Sequence, residues 1–96
     1  MQKRDRITIM AQILDGLRTR PMRYTRIIYQ NNLPCSTGGK YLQRLMDNKL
    51  VERDMRKDDD QRTRRYRITQ RGRDALTIAL ELHSMLGATL YDDDSN

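Results

Sequence analysis

The 96-residue chain has no Phe and no Trp, one Cys, one His and two Pro. A single cysteine, Cys35, cannot form an internal disulfide, and Cys35 with His83 cannot assemble an ordinary zinc site within one chain. One His and one Cys also give no nucleophile–base–orienter set, so the sequence points away from an enzyme and calls for no cofactor or metal. No long apolar run is present, and charges are spread through residues 1–20. Neither a signal peptide nor a membrane span is therefore expected, and a cytoplasmic protein follows. Without Phe or Trp the core must rest on Leu, Ile and Met, with five Tyr as the only aromatics. A chain this short buries only about two-thirds of its unfolded surface, so a second copy would add useful apolar burial.

What the chain does have is positive charge. The net charge is +6, and it is unevenly placed: residues 1–33 carry +5, residues 34–69 carry +4 and residues 70–96 carry −3. The first two-thirds attract polyanions and the last third does not. The basic region lacks the broad aromatic-rich face of a membrane-surface helix, which leaves nucleic acid as the expected partner rather than membrane. The stacking aromatics of single-strand readers are also missing, which favours a duplex.

Asp5 can cap a helix from about Arg6 to Leu17, with Ile7, Met10, Ile13, Leu14 and Leu17 as its buried stripe. Arg20-Pro21 breaks it. A shorter helix fits from about Met22 to Gln30, burying Ile27 and Ile28, and Asn31 to Pro34 form the turn. Pro34 suits the start of a third helix, where its missing N–H costs nothing. Tyr41, Leu42, Leu45 and Met46 give that helix a buried face as far as about Asn48. Two period-two segments, Val51–Met55 and Arg64–Ile68, then read as a hairpin with a charged tip at 56–63. Thr69 caps a last helix expected to run from about Gln70 to Tyr91. Gly72 in its first turn allows close packing on the hairpin, and residues 92–96 form an acidic tail expected to be disordered.

The last helix is too apolar for one small protomer. One face holds Leu76, Leu80, His83, Leu86 or Gly87, and Leu90; a neighbouring face holds Ala75, Ile78, Leu82 and Met85. A helix packed on a domain needs one stripe about 100° wide. The excess predicts a homodimer, with a heptad-like seam placed on Leu76, Ala79, Leu80, His83, Leu86 and Leu90.

Gly38-Gly39-Lys40 superficially suggests a phosphate-cradling loop. A Walker-type loop, however, has another glycine five positions before its Gly-Lys pair and a Ser or Thr after the lysine. Here Pro34 stands at the first place and Tyr41 at the second. The two glycines instead lie inside the third helix, at a cost of about 1 kcal/mol each relative to Ala. Gly38 falls where that helix faces its predecessor, and Gly39 falls on the open face beside Ser36, Thr37, Lys40 and Gln43.

The order helix, short helix, turn, helix, charged hairpin, long helix is that of a winged helix-turn-helix. Thr25-Arg26-Ile27-Ile28-Tyr29, Leu33, Tyr41-Leu42, Leu45, Leu50-Val51, then Tyr66-Arg67-Ile68-Thr69 and Gly72 resemble the archaeal small winged-helix DNA-binding proteins that dimerise through a C-terminal coiled-coil helix. The resemblance covers about residues 5–88, and more generally the chain is similar to MarR- and PadR-type regulators. It implies a mainly α fold with a β-hairpin wing and a long C-terminal dimerisation helix. Residues 1–69 would form the DNA-binding core, 70–91 the dimerisation helix and 92–96 the tail. It also implies double-stranded DNA as partner, with the third helix in the major groove and the wing on the backbone.

On that expectation Lys40, Gln43 and Arg44 read bases, Gln43 suiting adenine and Lys40 or Arg44 guanine. Ser36 and Thr37 serve either as phosphate ligands or as caps, and Gly39 allows close backbone approach. Arg23 at the second helix, and Arg56, Lys57, Arg62, Arg64 and Arg65 in the wing, are phosphate ligands. Asp58-Asp59-Asp60 at the tip either pair with these arginines or discourage indiscriminate binding. Two functions from different classes remain: a dimeric DNA-binding protein, as a transcription regulator or nucleoid-associated chromatin protein, and a winged-helix adaptor that binds protein in a larger assembly.

Overall fold

The computed structural model describes residues 4–54 and 64–91. Helix α1 (Arg6–Leu17) begins where Asp5 accepts a hydrogen bond from the Thr8 amide at 2.6 Å. That backbone hydrogen bond, followed by one to the Thr8 side chain, holds the Asp5 carboxyl below its ordinary pKa. Ile9, Ile13, Leu14 and Leu17 fill the core. Ile7, expected in the same stripe, is 67% exposed, because the buried face is centred on Ile9, Ile13 and Leu17 and turns away from the first residue of the stripe.

The second helix starts later than its sequence suggests. Met22–Arg23 form a short strand β1, and α2 spans Tyr24–Gln30. Met22 and Arg23 pair antiparallel with Tyr66 and Arg65. A strand partner thus outweighs local helical preference at these two residues. α2 ends with the Asn31 side chain donating to the Ile27 carbonyl at 2.9 Å. Asn32 takes the left-handed conformation, φ 55°, that small polar residues tolerate.

Helix α3 (Cys35–Asp47) follows Pro34, whose extended backbone serves as the N-cap. No side chain caps the start of this helix, whereas at its end the Asn48 side chain donates to the Arg44 carbonyl at 2.8 Å. The capping option for Ser36 and Thr37 is therefore not used. Leu42 and Leu45 are buried, and Tyr41 and Met46 pack partly buried beside them. Gly38 works as its position predicts: a Cβ there would strike Cδ1 of Ile28, so the missing side chain lets α2 and α3 approach.

Strands β2 (Val51–Asp54) and β3 (Arg65–Ile68) form the expected antiparallel hairpin, with Val51 opposite Ile68. β1 adds a third strand, giving the order β1-β3-β2. The hairpin tip, with the candidate ligands Arg56, Lys57 and Arg62 and the acidic triplet, lies outside the described residues, as do residues 92–96.

Helix α4 (Gln70–Met85) is capped by Thr69, whose hydroxyl oxygen accepts from the Gly72 amide at 3.0 Å. The Thr69 hydroxyl also donates to the Lys49 carbonyl at 2.6 Å, and its amide to the Leu50 carbonyl at 3.0 Å. At Gly72 a Cβ would collide with the Leu50 carbonyl oxygen and lie 2.7 Å from Cγ1 of Ile68.

The long final helix is shorter than expected. It stops at Met85, because Gly87 turns left-handed with φ 77° and the Ala88 amide folds back onto the His83 carbonyl at 2.7 Å. The returning segment places Leu90 in the protomer's own core, only 2% exposed. Burying a leucine is worth about 1.5–3 kcal/mol. The segment is held by the Gln12 side chain donating to the Leu90 carbonyl at 2.6 Å and by the Tyr91 hydroxyl donating to Asp15 at 2.7 Å. Leu76 is also core, at 3% exposure, while Ala79 packs against the core and His83 is half-buried. The face expected to form the dimer seam is thus divided: Leu76 and Leu90 belong to the protomer's core, while Leu80 and Leu86 are 42% and 74% exposed.

Two outcomes follow from this packing. Gly72→Ala should lower stability by about 1–3 kcal/mol, read by denaturant unfolding, since backbone must move to admit the methyl group. Burial, and then the hydrogen bond to Asp15, push the Tyr91 phenol from its ordinary 10.0 to about 12. A neutral phenol is therefore favoured in the folded chain, and its contribution is complete below pH 10 and lost as pH rises towards 12. The stability difference between wild type and Tyr91→Phe should shrink across that window.

Candidate nucleic-acid interface

The helical repeat places Ser36, Lys40, Gln43 and Arg44 on the outer side of α3, and all four are exposed. Thr37 and Gly39 flank this face and are half-buried. Lys40 and Arg44 have no side-chain ion pair or hydrogen bond among the described residues. Two long cations thus stand free beside each other's turn, the arrangement that suits an anionic partner.

Two further residues shape the face. Asp47 lies one turn beyond Gln43 and accepts from its amide nitrogen at 2.9 Å. This pins the Gln43 side chain while leaving its carbonyl oxygen and a second N–H available, the pair of groups that adenine recognition uses. Tyr24 donates its hydroxyl to the Cys35 carbonyl, tying α2 to the first turn of α3. Gly39 makes room for that hydroxyl: a Cβ there would lie 3.1 Å from the tyrosine oxygen. Burial first, then the bond to Cys35, raise the Tyr24 phenol above its ordinary pKa, so the donor stays protonated at neutral pH. The i,i+4 spacing of Gln43 and Asp47 was available to sequence reasoning; the Tyr24 link was not, because it depends on how two helices cross. The Cys35 thiol itself is exposed.

The sheet brings a second basic group to the same part of the fold. Arg23 is directly opposite Arg65 across the β1–β3 ladder. Like charges in that relation repel, and an anion laid across them relieves the repulsion. Asp54 is the cross-strand partner of Arg65 on its other side. Arg64 and Arg65 are half-buried at the stem of the wing, whereas Arg23 is exposed. Arg67 is already engaged, with Glu52 at 2.7 Å and Asp54 at 3.7 Å. The acids of β2 therefore neutralise an arginine of β3, and among the described residues Lys40, Arg44 and Arg23 have no such acid beside them.

Among the described residues no group of three His, Cys, Asp or Glu side chains could hold a metal ion. Nor is any described helix long and apolar enough to cross a membrane.

Comparison with known structures places this geometry. The chain is similar to Sso10a-2, a DNA-binding protein from Sulfolobus solfataricus, with 24% identity, 88% of this chain and 83% of that chain covered, and a TM-score of 0.73. It is similar to the transcriptional regulator BldR from Sulfolobus solfataricus, with 24% identity, coverage of 82% and 60%, and a TM-score of 0.69. It is also similar to Lactococcus lactis ZitR in complex with DNA, with 16% identity, coverage of 83% and 59%, and a TM-score of 0.64. Such identities speak for fold alone, and the chain spans only 60% of the length of BldR and 59% of that of the DNA-bound ZitR. No curated protein matches it in sequence. A family model described as winged helix-turn-helix matches residues 3–87, nearly the whole chain. With that match and the observed order of helices and wing, the chain belongs to the winged helix-turn-helix family.

Proposed function

We propose that this chain is a double-stranded DNA-binding protein that acts as a homodimer, as a transcription regulator or a nucleoid-associated chromatin protein in the cytoplasm. The observation that carries the reading is the unpaired cationic face of α3, Lys40 and Arg44, with Gln43 held between them and Asp47. In this fold α3 enters the major groove, and the wing stem meets the flanking backbone. Gln43 then reads a base edge, Lys40 and Arg44 reach guanine or phosphate, and Arg23, Arg64 and Arg65 neutralise phosphates. Ser36, Thr37 and the bare backbone at Gly39 line the approach. Mechanism is occupancy: contacts hold the protein on the duplex, and no bond is made or broken. That Sso10a-2 is a DNA-binding protein, BldR a transcriptional regulator and ZitR known with DNA supports the same reading.

The dimer contact is placed on the side of α4 that the protomer leaves open, which takes in the neighbouring apolar face together with Leu86 of the expected seam. Ile78, Leu82 and Met85 are 65%, 53% and 84% exposed, and their spacing puts them on one stripe. Leu86 lies beside it at 74% exposure, and Leu80 is 42% exposed. Pairing this stripe with its copy would hide apolar surface that the protomer leaves open and would present two α3 helices to one duplex.

Fluorescence anisotropy with random-sequence duplex at several salt concentrations tests the binding. Affinity should fall steeply with salt, and a single strand of equal length should bind less tightly. Absence of duplex binding at low salt would favour the protein adaptor. Lys40→Ala and Arg44→Ala should each cost about 1–3 kcal/mol of affinity if they contact bases, or lower the salt slope by about 1 if they contact phosphate. Gln43→Ala should alter sequence preference more than affinity. For the dimer, Ile78→Asp combined with Leu82→Asp should give a folded monomer by sedimentation, since both positions are exposed in the protomer.

A further inference from the structure

A second basic site lies away from the α3 face. The end of α1, the loop before β1 and the outer side of α2 enclose a polar cleft of about 590 Å³, walled on one side by the returning Tyr91. That volume falls within the usual range of small-molecule sites. Arg18, Arg20 and Arg26 line it, with Asp15 as the one acid. Asp15 is already engaged, by the Arg18 Nε at 3.2 Å and by the Tyr91 hydroxyl at 2.7 Å. Arg20 and Arg26 have no ion pair or hydrogen bond among the described residues. At Gly16 a Cβ would lie 3.2 Å from the Gln30 side-chain oxygen, so α1 and α2 approach closely at this wall of the cleft.

The lining therefore carries two uncompensated positive charges on planar guanidinium groups, in a concave surface with amide and phenol groups around them. A phosphate monoester carries about −1.5 to −2 at neutral pH and offers three acceptor oxygens. Its oxygens match the paired N–H donors of arginine better than chloride does. The position separates this cleft from the candidate DNA face. Ile28 points from α2 towards Gly38 of α3, whereas Arg26 and Gln30 lie on the side of α2 that meets Gly16 of α1.

We propose that this cleft binds a small phosphate-bearing dianion, held by Arg20 and Arg26, and that it is a ligand site distinct from the α3 surface. The ligand bridges α1 and α2, and Tyr91 brings the C-terminal segment to its edge.

The test uses the full chain with inorganic phosphate and pyrophosphate as probes, against potassium chloride at matched ionic strength. Titration calorimetry should show saturable binding of at least one phosphate probe, with a rise in melting temperature that chloride does not reproduce. Arg20→Gln combined with Arg26→Gln should weaken that binding about tenfold or more, since it removes two charge-assisted contacts. Both side chains are exposed, and circular dichroism should show an unchanged fold. The same variant should bind random-sequence duplex with the wild-type affinity and salt slope. Three results overturn the proposal: no saturable binding beyond that of chloride, undiminished binding by the double variant, or a loss of duplex affinity with the salt slope lowered by about 2, which would make these arginines DNA-phosphate ligands. The duplex measurement on wild type separates failure of this site from failure of the DNA-binding reading.

Discussion

The Leu50 carbonyl accepts from the Thr69 amide and lies against the bare backbone of Gly72, and this close approach ties the molecule together. On one side of it are the end of α3 and the start of the wing; on the other are the end of the wing and the start of α4. Lys49, left-handed at φ 64°, bends the chain out of α3. Its carbonyl takes the Thr69 hydroxyl, while the Arg71 side chain donates to the Asn48 carbonyl at 3.0 Å. Three successive carbonyls after α3 are thus satisfied by residues at the start of α4, where orphaned groups would otherwise cost stability. The same contacts set the angle of the hairpin to α3. The surface offered to a ligand is decided at a junction that carries none of its functional residues.

Charge is arranged on this frame in two ways. Where acids and bases meet across strands, as with Glu52, Asp54 and Arg67, they neutralise one another and stiffen the stem. The exposed Glu52–Arg67 pair adds little to stability, about 0–1 kcal/mol, while Asp54 is buried beside it. Their larger effect is to decide which cations remain. Among the described residues Lys40, Arg44 and Arg23 have no side-chain partner, so the unbalanced positive field gathers along α3 and the β1 edge. Asp47 on the same helix face modifies that field: it lowers the net charge but orients Gln43.

Much of the fold could be read from local chemistry. Asp5 and Thr69 announce their helices because a short side-chain acceptor before an apolar period is a strong start signal. Gly38 and Gly72 were legible because each interrupts a helix at a position facing a neighbour. β1 was not, since two residues carry no periodicity and become a strand only when β3 is beside them. The end of α4 was missed for a related reason: Leu90 continues the helical spacing, but Gly87 and the space beside Gln12 allow the chain to return to the core. Of the candidate site, the α3 residues followed from period alone. The pairing of Arg23 with Arg65 required the sheet, and the candidates at the wing tip lie outside the described residues.

The two apolar faces of α4 show why counting hydrophobic residues does not identify an interface. Both have helical spacing, and the heptad-like repeat that favoured the face of Leu76, Leu80, His83 and Leu86 for a partner chain does not say which face the protomer itself uses. The distinction comes from the first turn: Gly72 must face the Leu50 carbonyl, and a rigid helix with 3.6 residues per turn then directs Leu76, Ala79 and His83 inward. Ile78, Leu82 and Met85 are carried to the outside by the same rotation. Leu90 reinforces the arrangement, because its return to α1 ends α4 and prevents the inner face from extending into a long coiled coil. One glycine near the start and one near the end thus assign the protomer's core to one stripe and leave the other exposed.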